Sequence, residues 1–262
     1  MASSRRVRTA IDGVPAERKQ QNLELNTDQQ EALDSIGSSL DRGEFQCFLM
    51  HGITGSGKTE VYTRAIQRVV EFGRQAIVLV PEISLTPQTR QRFRARFEHV
   101  AVLHSHLTAA QRAWHLNALA SGRIQVVIGA RSAIFAPTPN PGLIGIDEEH
   151  DGSFKQDKAP RYHAREVALQ RARSQSIPLV LGSATPALES WYQAETGQFQ
   201  RLQLPRRALD RPLPDVATID LRIDDDSQGR PGAISRKLHQ EICAAVEHGG
   251  QVILLLNRRG FS

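Results

Sequence analysis

Gly52-Ile53-Thr54-Gly55-Ser56-Gly57-Lys58-Thr59 is the stretch that decides the fold. It matches the pattern G-x-x-x-x-G-K-S/T, whose glycines let backbone N–H groups turn inward around phosphates. A chance glycine-rich turn can also match it, but here an apolar strand is predicted before it and a helix after it. We therefore predict an ATP-binding phosphate loop. The predicted nucleotide contacts are Gly52, Thr54, Gly55, Ser56, Gly57, Lys58 and Thr59.

Two side chains of this loop are predicted to take part in the chemistry. Lys58 is expected to reach the β- and γ-phosphates and to act in catalysis, and the Thr59 hydroxyl is expected to ligate Mg²⁺. The cofactors predicted from the loop are therefore ATP and Mg²⁺.

Strands and helices alternate on both sides of the loop. Such alternation implies right-handed crossovers and a mostly parallel sheet with helices on both faces, which is an α/β fold. The predicted strands are 45–50, 75–80, 100–104, 124–128, 143–146 and 179–181. The predicted helices are 27–40 with Gln30 as capping-box partner, 58–71, one from Thr86-Pro87, 108–121, 161–173 and one from Thr185-Pro186.

The domain organisation follows from breaks in this alternation. Residues 1–22 indicate a flexible basic tail, and 23–204 the main α/β lobe. Residues 205–233 contain four prolines and the acidic run 224–226, which predicts a linker with one short strand near 216–221. Residues 234–262 hold a predicted helix from Ser235 and a strand at 251–256, and indicate the truncated start of a second lobe.

An acidic cluster, Asp147-Glu148-Glu149-His150, directly follows the apolar strand 143–146. A strand end beside a phosphate loop is where a second Mg²⁺ ligand is needed, so Asp147 is the predicted metal ligand. Glu148 is the predicted base that polarises the attacking water. Taken alone, an acidic tetrapeptide is typical of a solvated loop, but its pairing with the phosphate loop favours the catalytic interpretation.

Further segments also follow predicted strands. Ser183-Ala184-Thr185 contains hydroxyls that are predicted to relay the state of the γ-phosphate, although Thr185 before Pro186 is equally typical of a helix cap. Two loops on the same sheet edge, 81–86 and 129–132, have groups suited to a phosphodiester backbone, or are ordinary connecting loops. The predicted DNA contacts there are Pro81, Ser84, Thr86, Arg131 and Ser132.

Residues 151–163 mix aromatic and basic side chains immediately after the acidic cluster. Aromatic rings can stack on bases while cations meet phosphates. Alternatively, the segment is a surface loop whose aromatic rings pack onto the core. The predicted DNA contacts in it are Phe154, Lys155, Arg161 and Tyr162.

Composition excludes several other classes of protein. The net charge is +5, but residues 1–22 have five basic and two acidic side chains, which leaves +2 for the other 240, so charge alone only hints at nucleic acid. Two distant cysteines exclude a disulfide framework and a four-cysteine zinc site, and indicate reduced thiols in a cytoplasmic protein. The sequence predicts no membrane span. No spacing unites His104, His106 and His150 into a metal site.

Seven segments, in this order, resemble the PriA family of bacterial replication-restart helicases in superfamily 2. The resemblance covers residues 23–262. The segments are G-I-T-G-S-G-K-T-E-V-Y (52–62), V-P-E-I-S-L-T-P-Q (80–88), G-A-R-S-A-I-F (129–135), I-D-E-E-H-D (146–151), R-Y-H-A-R (161–165), L-G-S-A-T-P-A-L-E (181–189) and L-N-R-R-G-F (256–261).

The resemblance implies a RecA-like first motor lobe that moves 3′ to 5′ on DNA with ATP and recognises stalled forks. It also implies that Gln29 contacts adenine and that Phe154 to Tyr162 form an aromatic-rich loop coupling DNA to hydrolysis. The implied partners are single-stranded and forked DNA, primosome proteins and single-stranded DNA-binding protein.

The chain departs from that family in three places. The N-terminal DNA-binding region, the zinc module with its cysteine ligands, and most of the second lobe with its arginine finger do not occur in it. We therefore expect a fragment that binds ATP weakly and unwinds little alone. Two alternatives are a restriction-type double-stranded DNA translocase and a non-catalytic, nucleotide-gated scaffold.

Overall fold

The computed structural model describes residues 24–208, 215–220 and 234–255, which belong to two units divided between Arg211 and Pro212. The predicted tail 1–22 and the acidic run 224–226 lie outside the described residues. No helix in the described ranges combines the length and the apolar character needed to cross a membrane.

A seven-stranded sheet forms the centre of the first unit. Its order is β3-β4-β2-β5-β8-β1-β9, and every pair in it is parallel. The strands are β1 (Cys47–Gly52), β2 (Gln75–Leu79), β3 (Val100–Leu103), β4 (Val126–Gly129), β5 (Pro141–Asp147), β8 (Leu179–Ser183) and β9 (Gln200–Leu204). A two-residue antiparallel pair, β6 (Lys155–Gln156) with β7 (Tyr162–His163), stands apart from it. The predicted α/β fold with a mostly parallel sheet is confirmed.

Helices cover both faces of the sheet, and each face has its own apolar core. Ile36, Ile66 and Phe93 are buried in one core, and Leu119 and Phe154 in the other. Because both faces of the inner strands are covered, these strands are nearly continuous apolar runs. The helices of the first unit are α1 (Thr27–Arg42), α2 (Lys58–Glu71), α3 (Pro87–Arg94), α4 (Ala109–Ala120), α5 (Ala164–Ser174) and α6 (Leu188–Glu195).

The capping of α1 differs from the prediction. Asn26 is the N-cap and forms a capping box with Gln29, whereas Gln30 donates to Asp34. The prediction of Gln30 was wrong because it took Thr27 as the cap, one residue too late. An asparagine oxygen at position 26 accepts the backbone N–H of Gln29, so the helix begins immediately after it.

Two other helix starts were also predicted wrongly. Helix α5 begins at Ala164 instead of residue 161, because residues 162–163 pair with β6 and His163 caps the helix. Helix α6 begins at Leu188, and its N-cap is Ala187, without a cap from its own side chain. Thr185 is therefore not the cap that the Thr-Pro pattern predicted. The start predicted at Thr86-Pro87 is confirmed, with Thr86 as cap.

Near the end of the chain, one strand was missed and two strands were predicted wrongly. Strand β9 was not predicted, because its exposed Gln200, Arg201 and Gln203 alternate with buried Leu202 and Leu204, as at a half-covered edge. In the second unit, α7 (Arg236–Glu247) begins after the cap Ser235 as predicted. Residues 215–220 and 251–255 are not strands, so those two predictions were wrong in the described part. A strand needs a neighbour for its backbone hydrogen bonds, and none pairs with them there.

Candidate nucleotide-binding site

The phosphate loop connects the end of β1 to the start of α2. Gly55 and Gly57 adopt left-handed backbone angles, with φ of 82° and 83°, which L side chains rarely adopt. A side chain at Gly57 would also collide with the amide nitrogen of Gln29. The loop therefore requires glycine at position 57 for both its conformation and its packing.

Hydrogen bonds fix the polar groups of the loop in positions that suit an anion. Lys58 Nζ donates to the Gly52 carbonyl at 2.7 Å, and Gln29 Nε2 donates to the Ser56 carbonyl at 2.8 Å. The buried Ser56 hydroxyl has no hydrogen-bond partner among the described residues. An orphaned hydroxyl, a buried ammonium and the amides at the start of α2 fit the phosphates of a nucleotide.

Gln29 contacts the phosphate loop directly. Its side-chain oxygen accepts from the Asn26 backbone, and its side-chain nitrogen is bound to Ser56. The residue thus joins the start of α1 to the phosphate loop. Its predicted contact with adenine stays a prediction.

The chain after β9 also reaches the phosphate loop. The Ala208 backbone N–H donates to the Gly55 carbonyl at 2.9 Å. Nearby, Arg206 makes two hydrogen bonds to the Asp28 carboxylate, at 2.9 and 3.0 Å. These contacts attach the segment that follows β9 to both the loop and α1.

Asp147 and Thr59 converge on one residue, Tyr62. The Tyr62 hydroxyl donates to Asp147 Oδ2 at 3.0 Å. The neighbouring Thr59 side chain acts on the same hydroxyl, because it opposes the rise in the pKa of Tyr62 that burial causes. Tyr62 follows Lys58 by four positions and Thr59 by three, so its side chain neighbours each of theirs on the surface of α2. Sequence reasoning missed Tyr62, although this spacing was a signal that could have found it.

The electrostatics of this cluster suit a bound cation. Burial, and then the neighbouring charge of Glu148, raise the pKa of Asp147. Burial, and then Asp147, raise the pKa of Tyr62. The described residues contain no group of three or more His, Cys, Asp or Glu side chains that would hold a metal by itself. Thr59 and Asp147 nonetheless fit Mg²⁺, which takes one or two carboxylates and completes its shell with phosphate and water oxygens.

The rest of the acidic cluster contacts the segment 183–185. Glu148 adopts φ of 47°, which is unusual for a residue other than glycine, and its N–H donates to Asp147. His150 Nδ1 lies 3.6 Å from the Glu148 carboxylate and is hydrogen-bonded to Ser183 Oγ at 2.7 Å. Its other ring nitrogen lies 3.4 Å from the Thr185 hydroxyl. His150, which was considered only as a metal ligand, therefore joins Glu148 to Ser183 and Thr185.

Two of the side chains predicted to contact DNA are buried. Phe154 is 0% exposed within the apolar core, and Pro81 is also buried. A ring inside the core cannot stack on a base, so the alternative that this loop packs its aromatic ring onto the core is correct for Phe154. Burial equally removes the Pro81 side chain from contact with DNA.

Phe135 is an exposed aromatic residue beside Tyr162 that sequence reasoning missed. It is 58% exposed and meets the ring of Tyr162 edge to face, with 5.1 Å between ring centroids. Arg171 donates to the carbonyls on either side of it, Ile134 at 2.5 Å and Ala136 at 3.0 Å. The backbone on both sides of Phe135 is therefore fixed while its ring faces solvent.

Arg131 is hydrogen-bonded to the loop that precedes Tyr162. One guanidinium nitrogen donates to the carbonyls of Ser153 and Lys155, and the guanidinium lies 6.0 Å from the centre of the Tyr162 ring. Arg131 is thus committed to holding the loop 153–155.

The remaining predicted DNA contacts differ in how accessible they are. Ser132, Lys155 and Arg161 are exposed, Ser84 is half-buried, and the Thr86 hydroxyl caps α3.

Gly57→Ala is expected to weaken nucleotide binding and to lower the free energy of unfolding by about 1–3 kcal/mol, through backbone strain and the collision with Gln29. The measurements are titration with a fluorescent ATP analogue and chemical denaturation. Gly122→Ala is the matched control, because Gly122 has φ of 73° but open space around its Cβ position. It should lose stability without losing nucleotide affinity, and equal affinity losses in both variants would contradict the prediction.

Comparison with known proteins gives a consistent result. The model of the family described as DEAD/DEAH box helicase matches residues 26–193. The chain is 45% identical over 246 residues to the replication restart protein PriA of Bacillus subtilis, covering 94% of this chain and 30% of that protein. It is 43% identical over 239 residues to PriA of Haemophilus influenzae, covering 91% of this chain and 32% of that protein. The chain thus spans about a third of the length of these curated relatives.

Among solved structures, the chain resembles RecG bound to a three-way DNA junction. The TM-score is 0.50 and the sequence identity is 26%, over 71% of this chain and 24% of that one.

Proposed function

The chain belongs to the DEAD/DEAH box helicase family, and on that premise we propose that it is the ATP-binding motor lobe of a DNA helicase acting in replication restart. The observation that carries the proposal is the convergence of Thr59 and Asp147 on Tyr62 beside the phosphate loop. The similarity to PriA proteins supports the replication-restart assignment. We assign residues 23–204 to the first lobe, 205–233 to a linker and 234–262 to the start of a second lobe.

The residues of the site have distinct roles in this proposal. The phosphate loop and Lys58 bind the phosphates. Thr59 and Asp147 would hold Mg²⁺, which would supply positive charge beside the phosphoryl group. Glu148 accepts a proton from the attacking water. The contacts of His150 with Ser183 and Thr185 link Glu148 to the start of the segment before α6.

DNA is the proposed second substrate. Phe135, in place of Phe154, offers exposed aromatic surface beside the half-buried ring of Tyr162, and Lys155 and Arg161 add exposed positive charge. Ser84, Thr86, Arg131 and Ser132 occupy loops that follow strands β2 and β4. We further propose 3′-to-5′ movement, single-stranded and forked DNA as substrates, primosome proteins and single-stranded DNA-binding protein as partners, and a cytoplasmic location.

ATP turnover with and without single-stranded DNA tests this function. We expect the chain to bind Mg–ATP and to hydrolyse it slowly, faster when DNA is added. Lys58→Ala should reduce both binding and DNA-stimulated turnover, because it removes the only side-chain ammonium bound to the loop in the described residues. Lys237→Ala, an exposed lysine on α7, is the matched control and should behave like the unsubstituted chain.

The same measurement separates the two alternatives. Nucleotide binding without any turnover, with or without DNA, would favour a nucleotide-gated scaffold. Stronger stimulation by duplex than by single strands would favour a double-stranded DNA translocase. Unchanged turnover in Lys58→Ala would rule out the assigned phosphate site.

A further inference from the structure

Glu149 is a buried carboxylate that the proposed chemistry does not use. It is 1% exposed, and both its carboxylate oxygens accept hydrogen bonds. Oε1 accepts from the Ala187 backbone N–H at 2.7 Å, and Oε2 accepts from Ser190 Oγ at 2.8 Å and from Arg165 Nη1 at 2.9 Å. We call Glu149, Arg165, Ala187 and Ser190 the Glu149 clamp. The clamp joins the acidic cluster to α5 and α6.

The clamp can affect the acidic cluster because Glu149 is part of that cluster. Glu149 lies between Glu148, whose backbone is left-handed, and His150, and its own N–H donates to the Gly182 carbonyl at 3.0 Å. Burying an ion pair costs desolvation energy that its own attraction often does no more than offset, so the Glu149–Arg165 pair is weak evidence of a net gain in stability. Removing one partner is nevertheless costly, because it leaves the other charge buried and uncompensated. The charged side chain has another effect. Its hydrogen bonds fix the backbone at residue 149, and this restricts the directions in which the adjacent Glu148 side chain can point.

Helix α6 depends on this residue as well. Its N-cap, Ala187, has no side chain able to cap the helix, and the Glu149 carboxylate accepts the Ala187 N–H across 38 residues of sequence. The segment 183–187 is thus held at one end by His150, through Ser183, and at the other end by Glu149. A displacement of the acidic cluster must move both ends together.

We propose that Glu149 is a positioning residue for ATP hydrolysis, which aims Glu148 and transmits the state of the acidic cluster to α6. This inference rests on the proposed function, since it presupposes that Glu148 acts on a nucleotide. Glu149 itself touches neither nucleotide nor metal in this scheme. It therefore affects the rate of the chemical step and the coupling to α6, and leaves nucleotide affinity nearly unchanged.

Trp191 provides a direct readout of α6. It follows Ser190 of the clamp, its ring meets the ring of His51 edge to face at 5.4 Å, and the Arg201 guanidinium lies 5.1 Å from its ring centre. The sequence has one other tryptophan, Trp114. Changing Trp114 to phenylalanine leaves Trp191 as the only indole emitter, and its environment will report movement of α6.

The experiment compares Glu149→Gln with Glu166→Gln in the Trp114→Phe background. Glu166 is an exposed neighbour of the same arginine, 3.5 Å from Arg165 Nε, which makes it a matched control. Each variant is titrated with Mg²⁺ and a slowly hydrolysed ATP analogue while Trp191 emission is recorded, and ATP turnover and melting temperature are measured separately.

We expect Glu149→Gln to bind the analogue within about threefold of the control, to lose the nucleotide-dependent change in Trp191 emission and to turn over ATP about 10- to 100-fold more slowly, as misplacement of a catalytic group does. Ser190→Ala removes the hydroxyl that donates to Glu149 and accepts from Arg165. It should show a partial loss, and it replaces Glu149→Gln in the experiment if that variant does not fold. A purely structural role would lower the melting temperature of Glu149→Gln but leave the Trp191 response and turnover intact, and that result overturns the inference.

Other outcomes are also decisive. If the background chain binds the analogue but Trp191 does not respond, the proposed coupling is wrong while the proposed function stands. If the background chain binds no nucleotide at all, the proposed function fails, and the inference fails with it.

Discussion

Asp147→Asn is expected to reduce ATP turnover by at least about 100-fold and, without Mg²⁺, to raise the melting temperature at neutral pH. The first effect follows because a metal ion contributes several kcal/mol of charge stabilisation in the transition state, and about 1.4 kcal/mol corresponds to tenfold in rate. An amide is a poorer Mg²⁺ ligand than a carboxylate. Turnover assays and thermal melts with EDTA measure the two effects separately.

The second effect follows from the direction of the pKa shift. Burial and the charge of Glu148 raise the pKa of Asp147 above its ordinary value. A carboxyl with a raised pKa contributes its stability below the unfolded pKa and loses it as pH rises through the folded pKa. As the pH rises above the ordinary carboxyl pKa, a buried Asp147 therefore lowers the free energy of unfolding, and a neutral amide removes this cost. The advantage of Asp147→Asn should fade as the pH is lowered toward the ordinary carboxyl pKa.

Asp151→Asn is the control with the opposite sign. Hydrogen bonds from Ser153 lower the pKa of Asp151, so its ionised form stabilises the fold above the unfolded pKa, and this stability is lost as pH falls through the folded pKa. We expect a lower melting temperature for Asp151→Asn at neutral pH. A lower melting temperature for Asp147→Asn as well would contradict the account of its burial, and unchanged turnover would contradict its role as a metal ligand.

Phe154→Ala is expected to lower the free energy of unfolding by about 3–5 kcal/mol, the usual cost of deleting a fully buried ring. Its ring is inside the core that α5 covers. Chemical denaturation measures the loss, and the residual folded protein should keep its affinity for DNA.

Phe135→Ala is the matched variant on the surface. Its exposed ring makes few core contacts, so we expect a change in stability within about 0.5 kcal/mol. Loss of one stacking surface should weaken binding of single-stranded DNA by about 1–3 kcal/mol, measured by fluorescence anisotropy at fixed salt. The reverse result, with Phe135→Ala unstable and Phe154→Ala deficient only in DNA binding, would restore the original assignment of Phe154.

The parts of the site that depend on local sequence were predictable. A glycine-rich loop between an apolar strand and a helix can be recognised within eight residues, and the strand before Asp147 fixes which sheet edge that carboxylate occupies. Tyr62 needed only one more step, because helical spacing places it beside Thr59. The roles of His150 and Glu149 were not predictable, since the partners in α5, α6 and the segment 183–187 lie 16 to 41 residues away. Those that follow β8 meet the acidic cluster only once β5 and β8 are neighbours.

Burial of individual aromatic residues was also beyond the sequence pattern. Phe135 and Phe154 both occupy 3₁₀ turns after a strand, and nothing local separates an exposed ring from a buried one. Packing against α5 decides whether each ring is buried, and the position of α5 depends on the whole fold. The strand at 200–204 was missed for a similar reason, because only its pairing with β1 reveals it as part of the sheet.

That last strand determines where the chain leaves the sheet. Since all seven strands of the sheet run in parallel, β9 ends on the rim where β1 ends and the phosphate loop begins. Whatever follows Leu204 must start its path on that rim, and Ala208 is still hydrogen-bonded to the loop four residues later. The point where the polypeptide leaves the sheet and the phosphate loop are thus neighbours by topology, so a conformational change in one affects the other directly.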